Sequence, residues 1–134
     1  MQTDIETSDD IRHLVDTFYA QVRKDSVIRP HFEEVANINW SLHLPKMYAF
    51  WETVLLGKAG YKGNPMAVHI QLDQKEALTA VHFERWMAIW HETLHTNFKG
   101  PNTDKALKQA QAIQALMQHK IHSFREPTEG LGVI

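Results

Sequence analysis

The sequence predicts an all-α protein. Apolar residues recur at spacings of three and four along most of the chain. Strict alternation, the mark of a half-buried strand, is nearly absent, and clusters of Gly and Pro separate the periodic stretches. A length of 134 residues, with 43% hydrophobic and 22% charged, corresponds to one globular domain over 1–134. Its core is expected over about 11–124, between a short acidic N-terminal lead and a frayed C-terminal tail. A chain this long buries roughly two thirds of its unfolded surface, which leaves room for one small-molecule cavity.

The first helix carries Ile11, Val15, Phe18 and Val22 on one stripe, widened by Leu14 and Tyr19. Thr7 or Ser8 can cap it, Asp9 and Asp10 suit the positive end of its dipole, and Arg23 and Lys24 suit its last turn. A short segment, Ile28 to Val35, is anchored by Phe32. The second helix is expected from about Trp40 to Leu56, stopped by Gly57, with His43, Leu44, Met47, Phe50, Trp51, Val54 and Leu55 inward. Pro45 removes a hydrogen bond there, so the regular helix begins near Leu42 or is kinked at its entrance.

The glycines and proline between Gly57 and Pro65 mark a loop. Asn64-Pro65 then reads as a cap and first helical position for a short helix to about Leu72 that contains His69. Asp73-Gln74-Lys75-Glu76 has capping-box spacing. A long helix from Thr79 or Ala80 to about Phe98 turns Phe83, Trp86, Met87, Trp90 and Leu94 inward, and Gly100-Pro101 ends it. The last, Thr103 to Phe124, has the clearest stripe: Ala106, Leu107, Ala110, Ile113, Met117, Ile121 and Phe124.

Composition excludes several classes. A net charge of -2 offers no basic footprint for nucleic acid or anionic lipid. Zero cysteines exclude disulfides, thiolate zinc sites, iron–sulfur clusters and a cysteine nucleophile, and fit the reducing cytoplasm. No apolar run approaches the roughly 18 residues needed to span a bilayer, and the acidic N-terminus is the opposite of a signal peptide. Nine histidines are the one compositional oddity.

His91-Glu92-Thr93-Leu94-His95 matches H-E-x-x-H, in which two histidines one turn apart grip zinc and the glutamate activates its water. With nine histidines and nine glutamates, that pattern arises by chance in roughly one such sequence in twenty-five. A third downstream histidine is missing, no strand is available to bind a peptide, and both histidines fall on the flank or solvent side of their helix. A small zinc hydrolase is therefore the enzyme alternative, and a cofactor-free helical interaction module is the other. His119 and His122 suit the end of the last helix as surface cations. His13, His31 and His82 are isolated. His69, among apolar neighbours after a glycine loop, and His43, at the front of an aromatic helix face, are core histidines or ligands.

Ordered motifs narrow that choice: Phe18-Tyr19 followed by Val22-Arg23-Lys24-Asp25, then Trp40-x-x-His43, Phe50-Trp51 and Leu55-Leu56-Gly57. Tyr61-x-Gly63-x-Pro65-x-x-x-His69 and Phe83-x-x-Trp86 complete the series. In this order and spacing, from Ile11 to Phe124, the chain resembles a group III truncated haemoglobin. The resemblance implies a two-over-two helical sandwich enclosing haem b (iron protoporphyrin IX). It implies His69 as the proximal iron ligand and Tyr19, His43 and Trp86 as polar distal residues, with Phe32, Met47, Phe50, Trp51 and Tyr61 around the haem. Dioxygen, nitric oxide and carbon monoxide are the implied ligands. The implied role is sensing, or redox chemistry of the nitric oxide dioxygenase or peroxidase kind, rather than bulk transport. Turnover would draw on a separate reductase, and the chain is expected to be a monomer or weak dimer. Two departures stand out: Pro45, two residues after His43, and a longer stretch between His69 and Trp86.

Overall fold

The computed structural model describes residues 2–31, 39–59, 61, 63, 73 and 78–125. Among them are four helices: α1 (Ser8–Val22), α2 (Trp40–Leu56), α3 (Ala80–Asn97) and α4 (Pro101–Arg125). The Phe32 anchor, the short helix with His69 and the frayed tail lie outside the described residues. So does the capping-box turn apart from Asp73, whose Oδ1 accepts the Leu78 N–H at 2.8 Å.

α1 packs on α2 and α3 packs on α4; the two pairs are stacked through α1 against α3 and α2 against α4. The predicted stripe of α1 is its buried face: Ile11, Leu14, Val15, Phe18, Tyr19 and Val22. Thr7 is the cap. Its hydroxyl accepts the Asp10 N–H at 3.1 Å, and the Asp10 carboxylate accepts the Thr7 and Glu6 N–H groups at 3.0 and 2.9 Å. Arg23 lies just past the last turn, as the C-cap.

α2 runs from Trp40 straight through Pro45, so the alternative of a helix beginning near Leu42 falls. Asn39 makes this tolerable. Its side chain accepts the Ser41 N–H at 3.2 Å and its carbonyl accepts the His43 N–H at 2.9 Å, which fixes the first turn without help from residue 45. Gly57 closes the helix at φ +69°, the left-handed region open to glycine.

α3 buries Phe83, Trp90 and Leu94 as expected, and also Ile89 and Thr93. Thr93 is accommodated because its hydroxyl donates to the Ile89 carbonyl at 2.8 Å. α4 begins at Pro101, earlier than the expected Thr103, because proline at a first helical position gives up only an N–H that has no partner anyway.

The N-terminal lead is structural. Ile5 is fully buried in the main core. Gln2 donates to the carbonyls of His95 and Thr96 at the end of α3, at 2.8 and 2.7 Å. Asp4 accepts the Asn102 and Thr103 N–H groups at the start of α4, at 2.9 and 2.8 Å, and the Thr103 hydroxyl at 2.8 Å. Residues far apart in sequence thus cap both sides of the α3–α4 corner. Gly100 at that corner is required: its φ is +148°, and a Cβ there would fall 2.5 Å from Asp4 Cγ.

Burial alone would raise the Asp4 carboxyl, but the Asn102, Thr103 and Ile5 donors outweigh it and hold the group below its usual 3.8. A depressed carboxylate stabilises the fold above its unfolded pKa and loses that contribution as pH falls below it. Asp4→Asn, which loses the charge at the start of α4 and one of two accepting oxygens, is therefore expected to cost about 1 kcal/mol at pH 7. The gap to wild type should narrow below about pH 4, as urea unfolding at pH 7 and pH 3 would read. A gap that is independent of pH would contradict the capping role.

Candidate functional site

α1, α2 and α3 bring their aromatic residues together. Tyr19, 8% exposed, packs edge-on to Phe18 at 4.9 Å, Trp40 at 5.4 Å and His43 at 5.2 Å between centroids. Its hydroxyl lies 3.1 Å from His43 Nε2. Helix geometry explains the pairing: Tyr19 closes the inward stripe of α1, while His43 and Trp40, three apart, share one face of α2. The Arg23 guanidinium covers the outer face of Trp40 at 4.8 Å. Burial pushes the Tyr19 phenol far above its ordinary pKa of 10.0, so it stays protonated at any working pH.

Phe18 links this pair to Trp86, at 5.2 Å, and to Trp90, at 5.0 Å. Trp86 and Trp90 lie parallel at 5.7 Å, and Trp90 stacks on Trp51 at 4.6 Å. Trp90 also donates to the Ala106 carbonyl at 3.2 Å, whereas no acceptor among the described residues meets the Trp86 indole N–H. Phe50 stands edge-on between Trp51 and Tyr61, 5.1 Å from each. Gly63 lets Tyr61 sit there, since a Cβ at residue 63 would overlap the Tyr61 ring.

Phe18 thus meets both Tyr19 and Trp86, His43 joins through Tyr19, and Met47 and Phe50 are half-buried against the same core. Trp51 sits deeper, 5% exposed behind Phe50. His69 and Phe32 lie outside the described residues. Sequence reading passed over Trp40 and Arg23 as site residues; the three-residue step from Trp40 to His43 was the available signal for Trp40.

A second feature is an open groove of about 300 Å³ between α1 and α3, lined by Gln21, Lys24, Asp25, Arg85, Glu92 and Asn97 among others. Asp25 Oδ1 accepts the Val27 and Ile28 N–H groups at 2.9 and 3.2 Å, and Oδ2 accepts from both Nε and Nη2 of Arg85. Burial would raise this carboxyl, but Arg85 and the two backbone donors together lower it. The pair pins the turn after α1 onto α3. Glu92 lines this groove while His91 and His95 stand exposed outside it, so the three residues of the H-E-x-x-H match do not converge. Among the described residues, no group of three His, Cys, Asp or Glu side chains is placed to hold a metal. None of the helices among them is long and apolar enough to cross a membrane.

Two stacked helix pairs share an aromatic core with a few polar tips, an architecture that suits a globin. The chain belongs to the bacterial-like globin family, whose sequence pattern it matches over residues 4–120. It is 27% identical over 127 residues to the group 3 truncated hemoglobin ctb of Campylobacter jejuni, a match covering 92% of this chain and 98% of that one. The crystal structure of a group III truncated hemoglobin from Campylobacter jejuni superposes with a TM-score of 0.79 at 26% identity, over 92% of this chain and 98% of the other.

Membership implies haem, and the residues present fit it. Trp40, Leu44, Met47, Phe50, Val54 and Leu56 of α2, with Trp86 and Met87 of α3, pack on the core yet remain only half-buried. That half-covered aromatic and thioether rim suits the faces of a large flat apolar cofactor. The polar groups set among them include the Tyr19 phenol, the His43 imidazole and the Trp86 indole N–H, all capable of donating.

Proposed function

We propose that this haem globin binds dioxygen and other diatomic gases on haem b, with His69 as the proximal iron ligand and Tyr19, His43 and Trp86 as distal donors. The observation that carries the reading is the part-buried Tyr19–His43 contact of 3.1 Å among aromatic neighbours. When bound, haem supplies a ferrous iron with one open coordination position for a diatomic gas. His69 presents a neutral imidazole nitrogen, and its other ring N–H needs an acceptor to fix the ring.

The chain's own work is to place hydrogen-bond donors. Only one proton lies between Tyr19 Oη and His43 Nε2. With Nε2 protonated, His43 donates to the phenol oxygen and the Tyr19 O–H is released toward the guest. With Nδ1 protonated instead, Tyr19 spends its proton on His43. We assign the first arrangement, because it gives the buried phenol an acceptor role and a donor role together. Trp86 offers a second donor. With haem seated against it, the half-buried α2 rim would exclude water around both, which strengthens each bond.

Slow release of a tightly held gas suits sensing or nitric oxide and oxygen redox chemistry better than transport. Such turnover draws electrons from a separate reductase; the chain acts as a monomer or weak dimer in the cytoplasm.

The test is an absorption spectrum of protein prepared with haem available, beside His69→Ala. A strong Soret band that His69→Ala abolishes or shifts is the expected result. A wild type that takes up no haem would discard the reading, and an unaltered band in the variant would move the ligand elsewhere.

A further inference from the structure

The H-E-x-x-H match is left unused by the globin fold, yet its two histidines are placed for chemistry. His91 and His95 are one turn apart on α3, both exposed, with ring centroids 4.1 Å apart and planes at 89°. Two imidazoles bound side by side to one ion through nitrogens at about 2.0–2.1 Å have centroids roughly 4.5–5 Å apart, so small side-chain rotations from the observed edge-to-face contact bring both onto one metal with the backbone in place. The turn that carries them is held in place: Gln2 caps the His95 and Thr96 carbonyls at 2.8 and 2.7 Å, which prevents fraying at this end of α3.

From this geometry we propose that His91 and His95 form a two-histidine surface site for a late divalent transition metal, Cu²⁺ above Zn²⁺, with water completing the coordination. Imidazole selects these ions over Mg²⁺ and Ca²⁺, and the order follows the Irving–Williams series. Glu92 is directed to the groove beside α1 and contributes no ligand, so the site binds an ion without activating water for hydrolysis. It lies apart from the Tyr19–His43 pair and stands whether or not the haem reading holds.

The test titrates CuCl₂ and ZnCl₂ into the purified protein, with whatever haem it carries, by calorimetry, and follows Cu²⁺ by electron paramagnetic resonance. Wild type is expected to bind one ion at this site, and His91→Ala or His95→Ala to bind it at least tenfold more weakly. The copper spectrum should pass from two coordinating imidazole nitrogens to one. Both side chains are exposed, so the variants should fold as wild type does, which circular dichroism checks. His119 and His122 on α4 are the natural competitors, and His119→Ala/His122→Ala should leave the site intact. Binding that survives in His91→Ala/His95→Ala, binding that is lost with His119 and His122 instead, or no saturable binding in wild type would each overturn the proposal.

Discussion

Tyr19→Phe is expected to release dioxygen roughly ten- to 150-fold faster from the haem-loaded protein, with little change in fold stability. The magnitude follows from a donor facing a partly charged acceptor in a dry pocket, about 1.5–3 kcal/mol, if the loss is felt wholly in dissociation. Phe retains the edge-on packing that Tyr19 makes with Phe18, Trp40 and His43, so the change removes one hydroxyl and little else. Stopped-flow displacement of dioxygen by carbon monoxide reads the rate directly. His43→Leu separates the two proton arrangements. If His43 donates to the phenol oxygen, its removal slows nothing but loosens the Tyr19 hydroxyl, and release accelerates less than in Tyr19→Phe. The double variant should then resemble Tyr19→Phe alone, the non-additive outcome expected of residues acting in one network. An unchanged rate in Tyr19→Phe would remove the phenol from the gas site.

What the sequence disclosed depended on whether an interaction was local. The stripe of α1, the stop at Gly57 and the end of α3 rest on spacing and caps within a few residues, and they came out as expected. Local polarity misled at the N-terminus. Gln2, Asp4 and Ile5 fell in an acidic lead outside the expected core because their partners, the ends of α3 and α4, are more than 90 residues away. Ile89 and Thr93 were missed on α3 because the aromatic stripe of Phe83, Trp86, Trp90 and Leu94 drew attention to one face, whereas the helix is covered by α1 and α4 on two. Pro45 left open where the helix begins, yet α2 starts at Trp40 because Asn39 caps its first turn, ahead of the N–H that proline lacks. The site itself was legible only through the family resemblance. No periodicity pairs Tyr19 with His43, 24 residues on, in a contact that exists because α1 lies against α2.

The rigidity of the pocket rests on a residue that contacts no expected ligand. Trp90 is 1% exposed, lies parallel to Trp86 and Trp51, meets Phe18 edge-on, and donates its indole N–H to the Ala106 carbonyl at 3.2 Å. It therefore joins all four helices: Phe18 from α1, Trp51 from α2, its own α3 and Ala106 from α4. Trp90→Ala should cost about 3–5 kcal/mol, as large-to-small changes in a tight core do, a large share of the whole stability of a domain this size. Trp90→Phe keeps an aromatic in the stack and loses the N–H, leaving the Ala106 carbonyl with one partner fewer, so its cost should be nearer 1–3 kcal/mol. Urea unfolding distinguishes the two. Because Phe18 and Trp86 both lean on Trp90, the phenylalanine variant should also broaden the gas-release kinetics without matching the acceleration of Tyr19→Phe. A Trp90→Phe protein as stable as wild type would mean that the hydrogen bond to α4 contributes nothing net. The coherence of the aromatic cluster would then rest on ring packing, with α3 and α4 held together there by shape rather than by this hydrogen bond.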